Sequence, residues 1–362
     1  MLRKTTAEKL NVSKQGQCKE NAETALRACL ERVPFLKILQ IKREARIGEF
    51  RADLLVKLSL PADEQELVVE VKSNGQPRIA REAVNQLLRY KMAKPEIYGV
   101  FIAPYISQRA AEICSKEGIG YIDLAGNCRL SFKQVYIEQG GKPNPFSERR
   151  ELRSLYSPKA SRVLRVLLSR PDKEWRIKEL SKETEVSLGQ VSNVKRLLED
   201  REWISTRANG FVLTEPEKLL LEWSENYNYR KNRILEYYSL KSMPEIETDL
   251  AKVCAQNEVR YALTGFSGAA RLAPAVRYQR VTAFVNEGEM DLATSLDFKP
   301  VSSGANVILL VPYDKGVFYG TQVVDGVRIA SPIQIYLDLM GFRGRGEEAA
   351  KVLLEKVIRP KW

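Results

Sequence analysis

The stretch ELVVEVKSNGQPRIAREAVNQLLRYK, from Glu66 to Lys91, decides how the first part of this chain folds. Its apolar run has the length of a β-strand, and the residues after it form a loop and then a helical pattern. Side chains alternate between the two faces of a strand, so Glu70 and Lys72 point one way and the valines beside them point the other. A carboxylate and an ammonium group therefore stand together at the end of a strand that is otherwise apolar.

The strand before this stretch adds a second carboxylate. FRADLLVKL, Phe50–Leu58, carries Asp53 on the face opposite its leucines and valine. If the two strands pair through the polar loop Pro61–Gln65, Asp53 approaches Glu70. Carboxylates that lie close together repel each other, and a divalent cation relieves the repulsion. The pattern predicts Mg²⁺ held by Asp53 and Glu70, with a bound water as nucleophile and Lys72 beside the water or a phosphate.

These strands belong to a first block, residues 14–145, in which strands alternate with helices. We predict strands at Phe50–Leu58, Leu67–Lys72, Tyr98–Ala103 and Tyr121–Leu124, and helices at Lys19–Val33, Arg81–Lys94 and Ser107–Glu117. This alternation predicts an α/β fold with a mixed sheet. The glycines and prolines of GGKPNPFS, residues 140–147, indicate a linker after the block.

The first block resembles the PD-(D/E)XK nuclease superfamily, whose core has an aspartate on one strand and Glu-x-Lys on the next. Asp53, Glu70 and Lys72 fill these places by their order and strand position. The resemblance implies a restriction-endonuclease-like fold and catalytic roles for these three residues. Ala52 stands where the superfamily usually has a proline.

Two further features of this superfamily recur in the chain. Gln86 and Tyr90 lie four residues apart, on one face of the predicted helix, like the Gln-x-x-x-Tyr of some branches. A glutamate from the first helix often completes the site in the superfamily, which implies a catalytic role for Glu23 or Glu20. The alternative is an ion pair at the sheet edge, in a domain that binds DNA or protein without cutting it.

Composition narrows the chemistry that the chain can perform. The formal net charge of +12 over 362 residues favours an anionic partner, nucleic acid ahead of a membrane surface, although an inert basic surface carries the same charge. The chain has no histidine, which excludes Ser-His-Asp and Cys-His catalysis and histidine-ligated metals. Catalysis would rest on carboxylates, lysine, tyrosine, cysteine or a hard metal ion.

Cysteine usage and hydropathy predict a cytoplasmic protein. The five cysteines are scattered and form no Cys-x-x-Cys, which favours buried thiols in reducing surroundings over disulfides or a zinc site. No segment approaches the roughly 20 apolar residues of a membrane span. The start of the sequence is charged and polar, so we expect no secretory signal.

A second block, residues 155–216, has the pattern of a winged helix-turn-helix. Apolar residues recur at helical spacing in three segments, Glu185-Val186 forms the turn before the third helix, and Ser187 caps that helix. A strand pair follows as the wing, with Arg207 near its tip. The predicted DNA-binding residues are Ser187, Gln190, Ser192, Asn193, Lys195, Arg196 and Arg207. Amides pair with adenine and basic groups with guanine or phosphate, so the third helix is predicted to enter the major groove. The alternative is a winged helix used for protein contacts.

The rest of the chain is predicted to form a connecting helix, residues 217–242, and an α/β block, residues 243–362. YALTGFSGAARLAP, RVTAFV and ASPIQIYLDLMGFRGRGEEAAKVLLEKVI in this block resemble the C-terminal part of AbiEi-family proteins. These are bacterial transcriptional regulators that act as antitoxins of type IV toxin–antitoxin systems. GIGYIDLAGNCRLSF in the first block and the winged helix also resemble this family. The resemblance implies a DNA-binding regulator of an operon shared with a nucleotidyltransferase-like toxin, although the long nuclease-like block departs from the usual antitoxin.

The turn Thr264-Gly265-Phe266-Ser267 is similar to the Gly-Ser opening of nucleotidyltransferases. The next strand, however, reads Val-Thr-Ala-Phe-Val and lacks the paired acidic residues that those enzymes need. The third block is therefore predicted to be non-catalytic, and to serve partner contact, homodimerisation or stability.

Three hypotheses follow for the whole chain. The first is an AbiEi-type regulator that binds double-stranded DNA and keeps its nuclease-like block mainly as a binding module. The second is a Mg²⁺-dependent endonuclease targeted by its winged helix, which unlike a regulator would lose its activity in EDTA. The third is a protein–protein adaptor without salt-sensitive DNA binding, whereas each phosphate contact contributes a slope of about −0.9 in log K against log salt.

Overall fold

The computed structural model describes residues 20–145, 155–273, 277–286, 289–342 and 345–362. The chain divides into two compact units. The first holds Met1–Glu151 together with Glu199–Glu202, and the second holds Leu152–Leu198 and Trp203–Trp362. Each unit contains a mixed sheet and helices, so the protein is of the mixed α/β class.

The first unit is built on a seven-stranded mixed sheet in the order β1–β2–β3–β4–β5–β6–β7. Its strands are β1 (Lys37–Ile47), β2 (Phe50–Ser59), β3 (Glu64–Val71), β4 (Tyr98–Ala103), β5 (Gly120–Asp123), β6 (Cys128–Phe132) and β7 (Val135–Gln139). β3, β4 and β5 run parallel and are joined by two helices, α2 (Pro77–Ala93) and α3 (Gln108–Lys116). The outer strands pair antiparallel. The predicted mixed sheet is thus confirmed for this unit.

Helices cover both faces of this sheet. Residues 20–30 form a helix, α1, whose Leu26 is buried against one face together with Val69 of β3. Leu87 of α2 is buried against the other face together with Val68. A strand covered on both sides is apolar at successive positions, which explains why the run before Glu70 shows no polar alternation.

Three strands of the first unit were not predicted from the sequence. They are β1, β6 and β7. β1 reads KILQIKREARI, lies at the edge of the sheet and exposes most of its side chains. Charged residues are common on edge strands, where they discourage pairing with other chains, and here they hide the strand pattern.

The second unit begins with three helices and a two-stranded antiparallel sheet. These elements are α4 (Pro158–Ser169), α5 (Ile177–Thr184), α6 (Leu188–Asp200), β8 (Ile204–Arg207) and β9 (Gly210–Leu213), and the last two residues of α6 are grouped with the first unit. The chain turns between α5 and α6 at Glu185, whose φ is 53°. Trp175 forms an isolated bridge with Phe211 of β9. This close approach requires a glycine at Gly210, where a Cβ would lie 2.3 Å from the carbonyl oxygen of Trp175.

A seven-stranded mixed sheet forms the rest of the second unit, in the order β13–β10–β14–β12–β11–β16–β15. Its strands are β10 (Arg233–Tyr238), β11 (Tyr261–Leu263), β12 (Val281–Val285), β13 (Lys299–Pro300), β14 (Val307–Val311), β15 (Gln322–Val324) and β16 (Val327–Ile329). Its helices are α7 (Pro216–Asn226), α8 (Met243–Gln256), α9 (Gly265–Ala270), α10 (Glu289–Ser295), α11 (Pro332–Met340) and α12 (Arg345–Leu353). Asp325 and Gly326 both have positive φ and join β15 to β16 in a two-residue hairpin turn, for which Asp-Gly is a favoured sequence.

The predicted connecting helix over residues 217–242 is wrong in its second half. α7 ends at Asn226, and Arg233–Tyr238 is strand β10, paired with β13 on one side and β14 on the other. The segment reads RILEYY, and its isoleucine and tyrosines fit a pleated, half-buried surface as well as a helix. Pairing with the remote β14 decides between the two. The finer division of this unit at residues 216 and 243 stays a prediction.

Two predictions about the whole chain bear on its surroundings. Cys29, Cys114, Cys128 and Cys254 are buried free thiols, as expected, while Cys18 lies outside the described residues. In the part of the chain that the structure describes, no helix is long and apolar enough to cross a bilayer.

A buried polar network links α4 to α11 in the core of the second unit. Arg165 Nε donates to Gln334 Oε1 over 3.0 Å, and Gln334 Nε2 donates to Asp338 Oδ2 over 3.0 Å. The hydroxyl of Tyr227 donates to Asp338 Oδ1 over 2.7 Å, and that of Thr264 donates to Oδ2. Arg165, Gln334 and Asp338 are each at most 2% exposed. The charges of the arginine and the aspartate thus meet through an amide, away from solvent.

Candidate functional site

The ends of β2 and β3 bring two carboxylates together. These strands are antiparallel with Leu54 opposite Val69, so the next pair towards the strand end is Asp53 and Glu70. The backbone N–H of Val71 donates to Asp53 Oδ2 over 2.8 Å and fixes that side chain. Both carboxylates line the same cavity, whose volume is about 400 Å³. The loop between the strands is only four residues long, which sets this register.

Glu70 is surrounded by hydrogen-bond donors although it is only 2% exposed. Tyr90 Oη lies 2.7 Å and Gln86 Nε2 lies 3.0 Å from Glu70 Oε1, and Lys72 Nζ lies 3.1 Å from Oε2. Lys72 Nζ also donates to Gln86 Oε1 over 3.1 Å. The single hydroxyl proton of Tyr90 is shared between Glu70 and the carbonyl oxygen of Arg51, 2.9 Å away. The helix face that carries Gln86 and Tyr90 therefore closes over the end of β3.

The electrostatics of this site disfavour the charged form of Glu70. Burial raises the pKa of Glu70, and the nearby negative charge of Asp53 raises it further, while Tyr90 and Lys72 lower it. Burial is also the main cause that raises the pKa of Tyr90. A buried carboxylate kept beside a second carboxylate in a cavity is typical of functional sites, because a bound cation would relieve both effects.

The residues at this cavity include the carboxylate ligands that Mg²⁺ commonly has in proteins. Asp53 and Glu70 supply carboxylate oxygens, and Mg²⁺ is commonly held through one or two carboxylates while it keeps several waters. Among the described residues, no group of three or more histidine, cysteine, aspartate or glutamate side chains is arranged to hold a metal ion. Water and a substrate phosphate would therefore have to fill the remaining positions.

Glu23 does not join this cluster. Its helix, α1, packs on the face of the sheet opposite to α2. The carboxylate of Glu23 lies 3.1 Å from Arg27 Nη2 and 3.0 Å from Arg43 Nη2, and the hydrogen bond from Arg43 is the main cause that lowers its pKa. Glu20, the other glutamate implied by the resemblance, is exposed on the same helix. Glu23 therefore links α1 to β1 through its ion pair with Arg43. It cannot reach the Glu70 cavity from its helix, which lies on the other face of the sheet.

The predicted DNA-binding residues of α6 lie on its outer side. Val191, Val194 and Leu198 are fully buried against the other helices. The residues that are exposed or half-buried on the outer side are Ser187, Gln190, Ser192, Asn193, Lys195 and Arg196. Arg207 is exposed at the end of β8. The sequence pattern therefore separated these side chains from the buried ones, since a helix with one apolar stripe turns its other residues outward, while their contact with DNA stays a prediction.

Local hydrogen bonds fix the start and the middle of this helix. The backbone N–H of Gln190 donates to Ser187 Oγ over 3.3 Å, which confirms the predicted cap. Arg196 Nη2 donates to Asn193 Oδ1 over 3.2 Å. Lys195 Nζ lies 5.7 Å from the centre of the Phe211 ring in β9.

One apolar residue of α6 is exposed. Leu188, the first residue of the helix, is 53% exposed. Its place directly after the capping Ser187, at the very start of the helix, is the sequence signal for this exposure.

Comparison with known proteins finds a family that matches part of the chain. Residues 212–359 match the family described as "Transcriptional regulator, AbiEi antitoxin, Type IV TA system". This confirms the predicted resemblance for the C-terminal stretches and does not extend to GIGYIDLAGNCRLSF or to most of residues 155–216. None of the curated proteins compared with the chain matches it.

Solved structures of endonucleases match a smaller part of the chain. A repair endonuclease from Pyrococcus abyssi is 20% identical, with 28% of this chain and 46% of that chain covered at a TM-score of 0.21. An EndoMS–dsDNA2 complex is 21% identical and EndoMS in apo form is 17% identical, each over 28% of this chain at a TM-score of 0.21. They are covered over 43% and 45% of their own chains. This chain thus matches less than half the length of these endonucleases, and at such TM-scores nothing further follows from the likeness.

Proposed function

We propose that this chain is a cytoplasmic DNA-binding transcriptional regulator of the AbiEi antitoxin type. The observation that carries the proposal is an adjacency. The stretch that matches AbiEi regulators, residues 212–359, directly follows three helices and a strand pair with amide, hydroxyl and basic side chains on the outer side of α6. We assign residues 155–216 as a winged helix-turn-helix on this basis.

The outer side of α6 supplies the contacts that this function needs. Gln190 and Asn193 present amides, which pair with adenine through two hydrogen bonds, and Arg196 can reach guanine or phosphate. Ser187, Ser192 and Lys195 flank them and suit phosphate oxygens. Arg207, on the strand pair, would follow the backbone beside the groove. As in the AbiEi family, the partner would be a nucleotidyltransferase-like toxin, and a homodimer on a two-fold symmetric DNA site stays a prediction.

DNA binding measured by fluorescence anisotropy on the region upstream of the chain's own gene tests this function. We expect Gln190→Ala to weaken binding to the preferred site roughly ten-fold or more, since a bidentate base contact contributes about 1–3 kcal/mol of discrimination. Arg207→Ala should weaken binding to every sequence alike and lower the salt slope by about one. Arg328→Ala, at an exposed arginine of β16, is the control and should change neither. Binding that is insensitive to both α6 and β8 substitutions would overturn the assignment.

A second candidate function, metal-dependent cleavage of DNA, is favoured by a separate observation. Asp53, Glu70, Lys72 and Gln86 line one cavity, and Tyr90 bonds Glu70. Mg²⁺ bound there would supply an activated water and neutralise charge on a phosphate. In this function Asp53 and Glu70 hold the cation, and Lys72 stabilises the charge that develops on the phosphate. Gln86 and Tyr90 position Glu70 and Lys72.

Nicking of supercoiled plasmid and cutting of linear DNA, with Mg²⁺, Mn²⁺ or EDTA, separate the two functions. Cleavage that requires metal and falls at least a hundred-fold in both Glu70→Ala and Lys72→Ala would make the chain an endonuclease. Glu23→Ala is the matched control, because Glu23 pairs with arginines on the other face of the sheet, and it should cut like the parent protein. DNA binding without cleavage in any metal would leave the first unit as a binding module of a regulator.

A further inference from the structure

A cavity in the second unit belongs to neither site described so far. Its volume is about 620 Å³, within the range of pockets that bind small molecules. Three arginines line it, Arg277, Arg280 and Arg345, and none of the lining residues that the structure describes is an aspartate or a glutamate. The described part of the wall therefore carries three positive charges and no negative one.

These arginines are suited to a ligand with several negative charges. All three are exposed, and Arg345 Nη2 donates to the carbonyl oxygen of Arg277 over 2.9 Å, which holds Arg345 at the cavity. Three like charges around one cavity repel each other, and an anion placed between them removes that repulsion. The planar guanidinium group binds phosphate oxygens through two parallel hydrogen bonds, so the best match is a polyphosphate rather than a single carboxylate.

The same cavity offers aromatic faces. Phe266 and Phe342 line it with ring centres 5.5 Å apart and an interplanar angle of 47°. Tyr229 stacks on Phe342 at 5.1 Å and 26°, which keeps that ring in place. Both phenylalanines are half-buried, so part of each ring stays accessible. Planar bases stack on such rings whatever the base, because every base has a π-face.

The neighbouring polar groups do not compete for this space. Ser267 Oγ accepts from the backbone N–H of Thr282 over 3.0 Å and lies 2.9 Å from the carbonyl oxygen of Thr264, to which it donates. The hydroxyl of Thr264 donates to Asp338 in the core. The hydroxyl groups of the turn that is similar to a nucleotidyltransferase opening therefore form hydrogen bonds inside the protein and do not face the cavity. Since no described residue of the wall is a carboxylate, phosphates there would contact arginines and not a divalent cation.

We propose that this cavity binds a nucleoside triphosphate or diphosphate without a metal ion. Its base lies against Phe266 and Phe342, and its phosphates lie between Arg277, Arg280 and Arg345. We expect no phosphoryl transfer there, because no carboxylate among the described lining residues could hold a metal ion or act as a general base. This inference goes beyond the proposed regulator and holds whether or not the first unit cuts DNA.

Isothermal titration calorimetry of the full chain in EDTA tests this binding site. The probes are ATP, GTP, CTP and UTP, with adenosine and inorganic triphosphate as partial ligands. We expect at least one nucleoside triphosphate to bind ten-fold or more tightly than either partial ligand. Arg277→Gln combined with Arg280→Gln should weaken that binding at least ten-fold, and both residues are exposed, so the variant should fold. Phe342→Leu should weaken nucleotide binding several-fold and leave inorganic triphosphate unchanged.

Two matched controls tie the signal to this cavity. Arg328→Gln removes an exposed arginine of the same unit outside the cavity wall and should change nothing. Glu70→Ala removes a carboxylate of the first unit and should also leave binding intact. Inorganic triphosphate binding as tightly as the nucleotides would overturn the stacking part of the proposal. Absence of nucleotide binding at millimolar concentration, or an equal loss in Arg328→Gln, would overturn it entirely.

Discussion

The two units each hold a buried carboxylate between a tyrosine and a glutamine, with a cationic side chain nearby. The Glu70 cluster consists of Glu70, Lys72, Gln86 and Tyr90. The Asp338 cluster consists of Asp338, Gln334, Tyr227, Thr264 and Arg165. Similar residue types therefore occur twice, on unrelated sheets, in surroundings that differ in their access to solvent.

The difference lies in where the cation stands and what lies in front of it. Lys72 contacts Glu70 directly, has 28% of its side chain exposed and lines an open cavity. Arg165 is 1% exposed and reaches Asp338 only through the amide of Gln334. The first arrangement faces a cavity with room for a ligand beside the carboxylate, whereas the second links two helices inside the core. The same residue types can therefore form a candidate site or a structural link, and the difference is whether solvent and ligands can reach them.

Removal of the carboxylate should separate the two clusters most strongly. Asp338→Ala leaves the charge of Arg165 buried without a carboxylate, and we expect the free energy of unfolding to fall by about 3–5 kcal/mol. Denaturant unfolding at neutral pH measures this. Asp249→Ala removes a half-buried aspartate of the same unit that pairs with Lys241 at the surface, and should cost less than about 1 kcal/mol. A loss as small as that control in Asp338→Ala would show that water reaches the Asp338 cluster after all.

The pH dependence of stability should carry the signature of the sealed cluster. Burial raises the pKa of Asp338 to about 6, above its ordinary value of 3.8. The folded protein therefore binds the proton more tightly than the unfolded chain. The protonated Asp338 therefore contributes its full stabilisation below about pH 4. This contribution, on the order of 3 kcal/mol, is lost as the pH rises to 6 and the group loses its proton.

Unfolding of the parent protein and of Asp338→Asn, compared between pH 4 and 7, isolates this contribution. The free energy of unfolding of the parent protein should fall relative to that of Asp338→Asn as the pH rises from 4 to 6. Above pH 6 the difference between the two proteins should stay constant. A difference that is level throughout, or one that shifts in the opposite direction, would contradict the buried position of the group.

The open cluster should respond weakly, and in the opposite direction. Glu70→Gln keeps the shape of the side chain and removes a charge that burial and Asp53 disfavour. We expect stability to be unchanged or to rise by up to about 1 kcal/mol, as is common when a functional residue is replaced. Asp123→Asn is the matched control in the same unit. Asp123 accepts from the backbone and side-chain N–H groups of Asn127, so its replacement should cost about 1–3 kcal/mol. Equal losses in both variants would make Glu70 a structural residue.

The Glu70 cluster was predictable because its members are close in the sequence. Glu70 and Lys72 share one face of a strand, Gln86 and Tyr90 share one face of the next helix, and a short hairpin adds Asp53. Periods of two residues along a strand and about 3.6 along a helix are enough to place them. The same reasoning placed the outer residues of α6.

The parts that sequence reasoning missed depend on contacts between remote segments. Glu23 lies on a helix whose side of the sheet no local pattern reveals. RILEYY was read as helix because its strand partner, β14, lies some seventy residues further on. Leu188 fits the helical spacing of the buried residues of α6, but it is exposed at the start of the helix. The Asp338 cluster escaped notice because Arg165 and Gln334 show no relation until the chain is folded.

The hydrogen bond from Arg165 to Gln334 spans 169 residues of chain, and this separation matters during synthesis. Ribosomes add about 5–20 residues per second, so roughly 10–30 s pass between the emergence of α4 and that of its partner. Throughout this interval the guanidinium of Arg165 can contact Ser161 of its own helix but not Gln334. The core around α4 is therefore completed only after α11, within the stretch that matches the AbiEi family, has been synthesised. We expect a chain interrupted before Gln334 to be less stable than the full chain, because the buried Arg165 then lacks this amide.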